Sequence, residues 1–279
     1  MNSINFGIVP TYDALLGAYP SLGAALAALP AGTRFYVEDQ MCEVRRSANG
    51  TFWVPEGFVG GPIQNSPANQ VSLYGPAGAL TLSTTASQTR TLVRPTFYQF
   101  KRPPTIKGFK IYIGTAGVVG ATTSGFDVRL YECYPNGMPI FGRAPLYVWS
   151  YNADGSGTGA TGIGTGTPGV LDLTAGTGTW AGFAAIGGNR EAPNQFWIGT
   201  RHDFTTTAPT LTTVSQNSFT GDSMPFITPT DGTSTLSHAN CYSWTESTFT
   251  LGEFAVWNAA AEMVLTGVGP HVVLVDMVA

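Results

Sequence analysis

Paired carboxylates are the side chains that a hydrolytic activity would need first. A glycoside hydrolase uses two of them about 5 to 10 Å apart, and the candidates are Asp127 with Glu132, and Asp203 with Glu191 or Glu246. Asp127 and Glu132 are an odd number of positions apart, so on a regular strand they point to opposite faces. For the other pairs the sequence defines no geometry. We therefore expect no catalytic residues and no enzymatic activity, and a polysaccharide depolymerase is the least favoured alternative.

Metal-binding and phosphate-binding patterns are incomplete in this sequence. His202 beside Asp203, and His238 three positions before Cys241, each offer two ligands without the second pair of a zinc site. The stretch DGSGTG at Asp154 lacks the acid spacing of a calcium loop, and GIGTGTPG lacks the Lys-Ser/Thr of a phosphate loop. There is also no GxSxG nucleophile motif. We expect no metal and no cofactor.

Aromatic residues offer a binding function instead. Tyr147, Trp149 and Tyr151 alternate onto one face of a predicted strand, and Trp197 and Trp244 lie in or near the ends of other strands. Aromatic faces beside Asn and Asp can stack on and hydrogen-bond to saccharides. The same rings also fit a core or a subunit interface, which we weigh above ligand contact. These five residues are the predicted receptor- or ligand-binding candidates.

Basic residues are concentrated in one short segment. Between positions 90 and 110 the sequence has six basic residues and no acid, with aromatic residues among them, a combination found in nucleic-acid-binding proteins. A solvated edge segment, or a strip that meets an acidic surface of a neighbouring subunit, explains the pattern more simply. We expect no nucleic acid and predict assembly contacts at Arg94, Lys101 and Arg102.

One apolar helix is predicted within residues 11–29. Ser21 is a suitable N-cap, and Leu22, Leu26 and Leu29 recur at helical spacing until a Pro and a Gly end the pattern. So short and apolar a helix needs a partner, either its own domain or a symmetry mate. We therefore predict that these three leucines are assembly contacts.

A small β-hairpin region follows the helix. The predicted strands are Arg34–Glu38, Cys42–Arg46 and Thr51–Val54, and Asn49-Gly50 provides the positive φ angles of a tight turn. Residues 1–59 thus form an N-terminal helix and hairpin module for assembly or attachment. The looser composition of residues 60–89 predicts a linker or extended arm with room for one or two short strands.

Residues 90–279 are predicted to form one β domain. Phe126, Val128 and Leu130 alternate onto one face of a strand, and similar segments recur, separated by Gly-rich or Thr-rich turns. This order predicts an all-β fold with an antiparallel, jelly-roll-like β-sandwich. The long polar connections 152–169 and 205–223 are predicted loops at the ends of the sandwich.

The overall composition agrees with a turn-rich β protein that is covered by other chains. Only 11% of the residues are charged, 43% are apolar, and there are 35 Gly and 19 Pro. So little charge predicts that copies of the chain or partner proteins cover much of its surface. The first residues lack the pattern of a signal peptide, and no run approaches the ~18 apolar residues of a membrane span. Neither secretion nor membrane insertion is expected. Three widely spaced cysteines predict reduced, mostly buried thiols.

Two sets of motifs resemble those of bacteriophage virion appendages. In tail-fibre and receptor-binding β-sandwich domains an RLxIYE-type strand runs into an Asn/Asp-Gly-x-Pro-Gly turn and is followed later by an aromatic strand. The corresponding residues here are Arg129–Glu132, the turn Pro135–Pro139 and Phe196-Trp197, with Ile140 where the turn usually continues with Gly. Ala31–Asp39 and Asn49–Pro55 are similar to a short hairpin module of phage structural proteins. The resemblance covers about two thirds of the chain.

The resemblance implies a structural virion protein that is assembled in the host cytoplasm. The N-terminal part would dock on the particle, and loops of the sandwich would meet a host cell-surface glycan or protein. Partners would be other virion proteins and further copies of the chain, with a trimer expected. The alternative is a capsid decoration, cement or minor structural protein, which location in the particle would distinguish.

Overall fold

The computed structural model describes about half of the chain in detail. The described residues are 6–56, 70–71, 82–84, 92–100, 102–115, 125–152, 169–172, 190–202, 210–214, 240–245, 255–257, 262–265 and 273–277. These residues are mostly strand with two short helices, so the predicted all-β class is confirmed. No helix among them is long and apolar enough to cross a membrane.

The elements follow one another in a simple order. The helices are α1 (Tyr12–Ala18) and α2 (Ala24–Ala27). The strands are β1 (Phe6–Val9), β2 (Arg34–Val37), β3 (Cys42–Arg46), β4 (Trp53–Glu56), β5 (Gln70–Val71), β6 (Leu82–Thr84), β7 (Leu92–Gln99), β8 (Thr105–Thr115), β9 (Gly125–Glu132), β10 (Tyr147–Asn152), β11 (Gly169–Asp172), β12 (Arg190–Glu191), β13 (Gln195–His202), β14 (Thr210–Val214), β15 (Asn240–Thr245), β16 (Glu262–Leu265) and β17 (Val273–Met277).

The predicted helix is two short helices, and the prediction of Ser21 as its cap is wrong. The hydroxyl of Thr11 caps α1 by accepting the N–H of Ala14 at 3.1 Å. Leu22 has a φ of 62° and donates its N–H to the carbonyl of Thr51, so the helical ladder stops between α1 and α2. The N-cap of α2 is Gly23, which has no side chain to cap with.

The N-terminal strands form a four-stranded sheet in the order β1-β2-β3-β4. β1 is parallel to β2, and the other pairs are antiparallel. β3 has the predicted bounds, and β2 ends one residue early. β4 starts two residues late because Thr51 and Phe52 donate their N–H groups to the Ser47 hydroxyl in the turn, where Gly50 has a φ of 71°.

One face of this sheet and the two helices enclose a core of their own. Its buried side chains come from both helices, from β2 to β4 and from one residue far along the chain: Tyr12, Leu15, Leu16, Leu26, Val37, Val44, Trp53 and Ile140. The guanidinium of Arg46 adds a polar contact by donating to the carbonyls of Leu26 and Ala27 at the end of α2. The region is therefore a packed unit that also takes in Ile140.

Two larger sheets contain the other described strands. One has six strands in the order β10-β9-β13-β7-β15-β16, and the other has the order β5-β17-β8-β14-β6, with β11 and β12 also paired to β8. All described pairs in both sheets are antiparallel. β5 and β6 come from the predicted linker, residues 60–89, and pair with β17 and β14. The domain boundaries at 59 and 89 stay predictions.

Candidate functional site

A tight turn after β9 is the centre of the candidate site. Gly137 donates its N–H to the carbonyl of Tyr134 at 2.8 Å and has a φ of 84°. Met138 donates to the side-chain oxygen of Asn136 at 3.0 Å, and a bridge between Cys133 and Pro139 closes the turn. The predicted Asn-Gly turn is thus confirmed.

The turn packs against β13, which carries the second motif of the C-terminal region. The indole N–H of Trp197 donates to the carbonyl of Gly137 at 3.0 Å. The ring of Phe97, from the neighbouring β7, lies 5.2 Å from that of Trp197 and also lies against Gly137. In addition, β9 pairs with β13 so that Tyr131 is opposite Trp197. The two motifs therefore lie side by side.

The N-terminal sheet and helices dock directly on this turn. The ring of Tyr134 lies 6.0 Å from that of Tyr12, and its hydroxyl donates to the carboxylate of Asp13 at 2.9 Å. The hydroxyl of Ser21, between the two helices, donates to Oε1 of Glu132 at 2.5 Å. We call this contact between the N-terminal module and the end of β9 the junction.

A second polar contact lies beside the junction. Glu191 at the end of β12 accepts hydrogen bonds from the side-chain amide of Asn49 at 3.2 Å and from the hydroxyl of Thr51. Both donors come from the turn between β3 and β4. Two acids of the larger sheets, Glu132 and Glu191, thus receive hydroxyl donors from the N-terminal module.

A small, partly open cleft lies at the junction. Its walls come from α1, β4, the end of β9 and the start of β13: Tyr12, Trp53, Pro55, Glu132, Cys133, Tyr134, Pro193, Asn194 and Gln195. Asn194 and Gln195 are buried, and among the described residues Oδ1 of Asn194 and both amide atoms of Gln195 have no hydrogen-bond partner. Buried amide groups without hydrogen-bond partners are costly. Two acceptors and one donor in this cleft are therefore available for further hydrogen bonds.

Burial dominates the electrostatics of the cleft. It raises the pKa of Glu132 to about 7, against the opposing effects of the Ser21 hydrogen bond and the Arg143 charge. Burial, followed by the charges of Glu132 and of Cys133, raises the pKa of Tyr12 well above its usual value. Burial and Glu132 likewise raise the pKa of Cys133, so its thiol is not activated as a nucleophile. Chemically, the cleft can hold a proton on Glu132.

Three of the residues weighed for catalysis have described side-chain contacts, namely Asp127, Glu132 and Glu191. Asp127 is buried and lies 3.8 Å from the guanidinium of Arg129, whereas Glu132 faces Ser21. Within the described ranges, no three His, Cys, Asp or Glu residues are grouped to hold a metal ion. The other weighed residues, Asp154, Asp203, His238 and Glu246, lie outside the described residues, as do most of the loops 152–169 and 205–223. Cys133 is a buried free thiol, and Cys42 is half-buried.

The predicted binding aromatics are part of the interior where their side chains are described. Tyr147, Trp149 and Trp197 are all buried. The ring of Trp149 lies 4.7 Å from that of Phe109 in the other large sheet. This placement favours the core alternative over ligand contact for these three rings. The backbones of Tyr151 and Trp244 lie in β10 and β15, and their side chains fall outside the described part.

The predicted assembly residues are divided between core and surface. Leu26 is fully buried in the N-terminal core and Leu29 packs against it, so both side chains serve their own module, whereas Leu22 is 44% exposed. Arg102 is exposed. Arg94 lies opposite Thr200 in the β7-β13 pair, and Lys101 falls outside the described residues.

The sequence does not indicate Ser21, Asn194 or Gln195 as site residues, and it offers Glu132 only as a partner of Asp127 and as the end of the Arg129–Glu132 motif. No local pattern indicates these residues, because Ser21 and Glu132 are 111 positions apart. The one feature of the sequence that indicates this site is the carboxylate of Glu132, which lies in a strand beside apolar neighbours. No protein family, curated protein or solved structure matches this chain.

Proposed function

We propose that this chain is a structural protein of a bacteriophage virion, and specifically a tail-fibre or receptor-binding appendage. The observation that carries the proposal is the joining of the resembling motifs. Trp197 of the aromatic strand donates to Gly137 of the Asn-Gly turn. Ile140, directly after that turn, is buried in one core with Val37 and Trp53 of the hairpin module. The resembling motifs, which are far apart in the sequence, thus lie in contact with one another.

The proposed architecture of the large domain is a jelly-roll-like β-sandwich. Support comes from the ring contact between Phe109 of β8 and Trp149 of β10, which belong to different antiparallel sheets. Large rings from two sheets in edge-to-face contact are typical of a shared core. The loops that join such sheets would then present the host-binding surface.

The N-terminal module is the proposed attachment region of a trimeric appendage. Its edge strand β1 exposes two apolar side chains, with Phe6 55% and Ile8 66% accessible. An uncharged edge strand with exposed apolar residues is suited to contact with another chain. Repeated copies on the particle would convert weak individual contacts with a host glycan or protein into stable adhesion.

The test combines native mass with attachment to cells. Purified full-length protein is measured by light scattering and, after fluorescent labelling, incubated with candidate host cells and separately with empty capsids. A trimer that binds cells supports the proposal. A protein that does not bind cells but binds capsids supports the capsid-decoration alternative. A monomer that binds neither cells nor capsids overturns both the appendage and the decoration functions.

Two variants make this test specific. Replacing residues 155–166 by a short Gly-Ser segment should abolish cell binding without changing the native mass. Ile8→Ser should weaken the oligomer, and Met41→Ser, another exposed apolar position in the turn before β3, is the matched control that should leave it intact. Release of sugar from host polysaccharide by the purified protein would contradict the non-enzymatic assignment.

A further inference from the structure

Glu132 is a buried acid at the junction with little to support a negative charge. Its side chain is 8% exposed, and its one hydrogen-bond donor among the described residues is the hydroxyl of Ser21. Arg143 is the cation that acts on it, but that guanidinium is 37% exposed and lies 4.0 Å from Asp13. An ionised carboxyl that is buried without a paired cation is costly.

The unpaired amide oxygens in the same cleft favour the protonated acid. Oδ1 of Asn194 and Oε1 of Gln195 are acceptors without a partner in the described part of the chain, and they line the cleft together with Glu132. A carboxylate would add another acceptor there, whereas a neutral carboxyl group has an O–H to donate. Burial and the two unpaired amide oxygens thus act in the same direction, whereas the one unpaired donor among the described cleft residues, Nε2 of Gln195, favours the ionised form.

We propose that Glu132 is a protonation-controlled contact that holds the N-terminal module onto the larger sheets. Its neutral carboxyl group accepts from Ser21 and supplies a proton donor to the cleft amides. When Glu132 ionises, the contact weakens and the segment of α1 and α2 separates more readily from the end of β9. This inference goes beyond the proposed virion function and is independent of it.

Among the described groups that line the cleft, Glu132 is the one that titrates with a pKa of about 7. Tyr12 from α1 and Cys133 from the turn stay neutral because burial raises the pKa of each. Arg143 is positive and favours the ionised acid. Tyr134 also lines the cleft and stays neutral, because burial and its hydrogen bond to Asp13 raise its pKa to about 12. The remaining walls, from β4 and the start of β13, are Trp53, Pro55, Pro193 and the two amides, which do not titrate.

The direction of the pH effect follows from the raised pKa. Glu132 has a pKa of about 7 in the closed junction, against an ordinary value of 4.5. The closed state therefore binds more protons between these values, and its stability falls as the pH rises from 4.5 through 7. The junction is tightest below pH 4.5 and loosest above pH 7.

Hydrogen exchange on the full-length protein tests the proposal. Exchange of residues 12–28 is measured at pH 5 and pH 8, corrected for the intrinsic chemical rate, in wild type and in Glu132→Gln. In wild type we expect opening to be on the order of 100-fold more frequent at pH 8. Glu132→Gln, which stays neutral, should lose this dependence. Glu191→Gln alters the other acid that binds the module and should keep the wild-type dependence.

Two results would overturn the proposal. One is a Glu132→Gln protein whose hydrogen exchange has the same pH dependence as wild type. The other is a Glu191→Gln protein that loses this pH dependence to the same extent as Glu132→Gln. If Glu132→Gln does not fold, the wild type is labelled with ¹³C-glutamate and its eight carboxyls are titrated by NMR. A single carboxyl with a midpoint above 6 supports the proposal, and eight midpoints near 4.5 overturn it.

Discussion

Trp197 donates its indole N–H to the carbonyl of Gly137, a residue 60 positions earlier in the chain. The bond holds the turn after β9 against β13, and the N-terminal module packs on the other residues of that turn. This one tight turn therefore contacts both β13 of the six-stranded sheet and the N-terminal module.

Gly137→Ala should destabilise the protein more than Gly142→Ala. Both glycines have φ near +80°, which costs an L-residue about 1–2 kcal/mol. A Cβ at Gly137 would also lie 3.1 Å from the ring of Phe97, whereas nothing lies within 4 Å at Gly142. We expect a further loss of about 1 kcal/mol at Gly137, measured by urea unfolding. Equal losses would show that the Phe97 contact does not constrain the turn.

Trp149→Ala should behave as a core mutation. The ring is fully buried against Phe109 and Tyr147, so its removal should lower the free energy of unfolding by about 3–5 kcal/mol. Trp149→Phe should cost much less, since the indole N–H has no partner in the described residues. Chemical denaturation measures both. A stable Trp149→Ala protein that merely loses cell binding would restore the ligand-contact interpretation.

Arg46→Leu should cost about 1–3 kcal/mol because it removes the donor from the buried carbonyl groups of Leu26 and Ser47. Arg46 donates to the carbonyls of Leu26, Ala27, Ser47 and Ala48. Arg45→Leu is the matched control on the exposed face, where the ion pair with Glu56 is worth about 0–1 kcal/mol. Thermal unfolding compares the two variants, and a similar small loss in both would contradict the role of Arg46.

Ser21→Ala should change the pH profile of stability. The Ser21 hydroxyl lowers the pKa of Glu132, so its loss should raise that pKa above about 7 and destabilise the ionised junction most. The fall in stability that begins near pH 4.5 should then continue to a higher pH than in wild type. Melting temperatures measured from pH 4 to pH 9 give the pH at the midpoint of this fall in stability. Thr51→Ala, which removes a donor to Glu191 instead, should leave the midpoint in place.

Truncation after Gly269 should abolish folding. It removes β17, which pairs with β5 on one side and with β8 on the other. Loss of an interior strand exposes the hydrogen-bonding edges of both neighbours. Solubility and the melting temperature report the outcome. A soluble truncated protein with an unchanged melting temperature would show that β17 is dispensable.

Strands and turns were accessible to prediction because their signals are local. The predicted bounds of β3 are confirmed to the residue, and Asn-Gly placed the turns at Gly50 and Gly137. The helical region was predicted less well. Leucine spacing indicates an apolar face, but it does not reveal that Leu22 adopts a positive φ and donates to Thr51. That bond depends on a partner from a distant turn.

By itself the sequence determined the all-β class, the tight turns and the strands β2 to β4 of the N-terminal sheet, since each depends on residues that are near one another in the chain. The parallel strand β1 was not predicted. Tertiary structure alone decided which strands became neighbours, that Trp149 lies in the core and that Ser21 meets Glu132. The physical reason is that burial and long-range hydrogen bonds depend on the packing of the whole chain. The protonation of Glu132 follows from that packing, because burial of its carboxyl group raises its pKa.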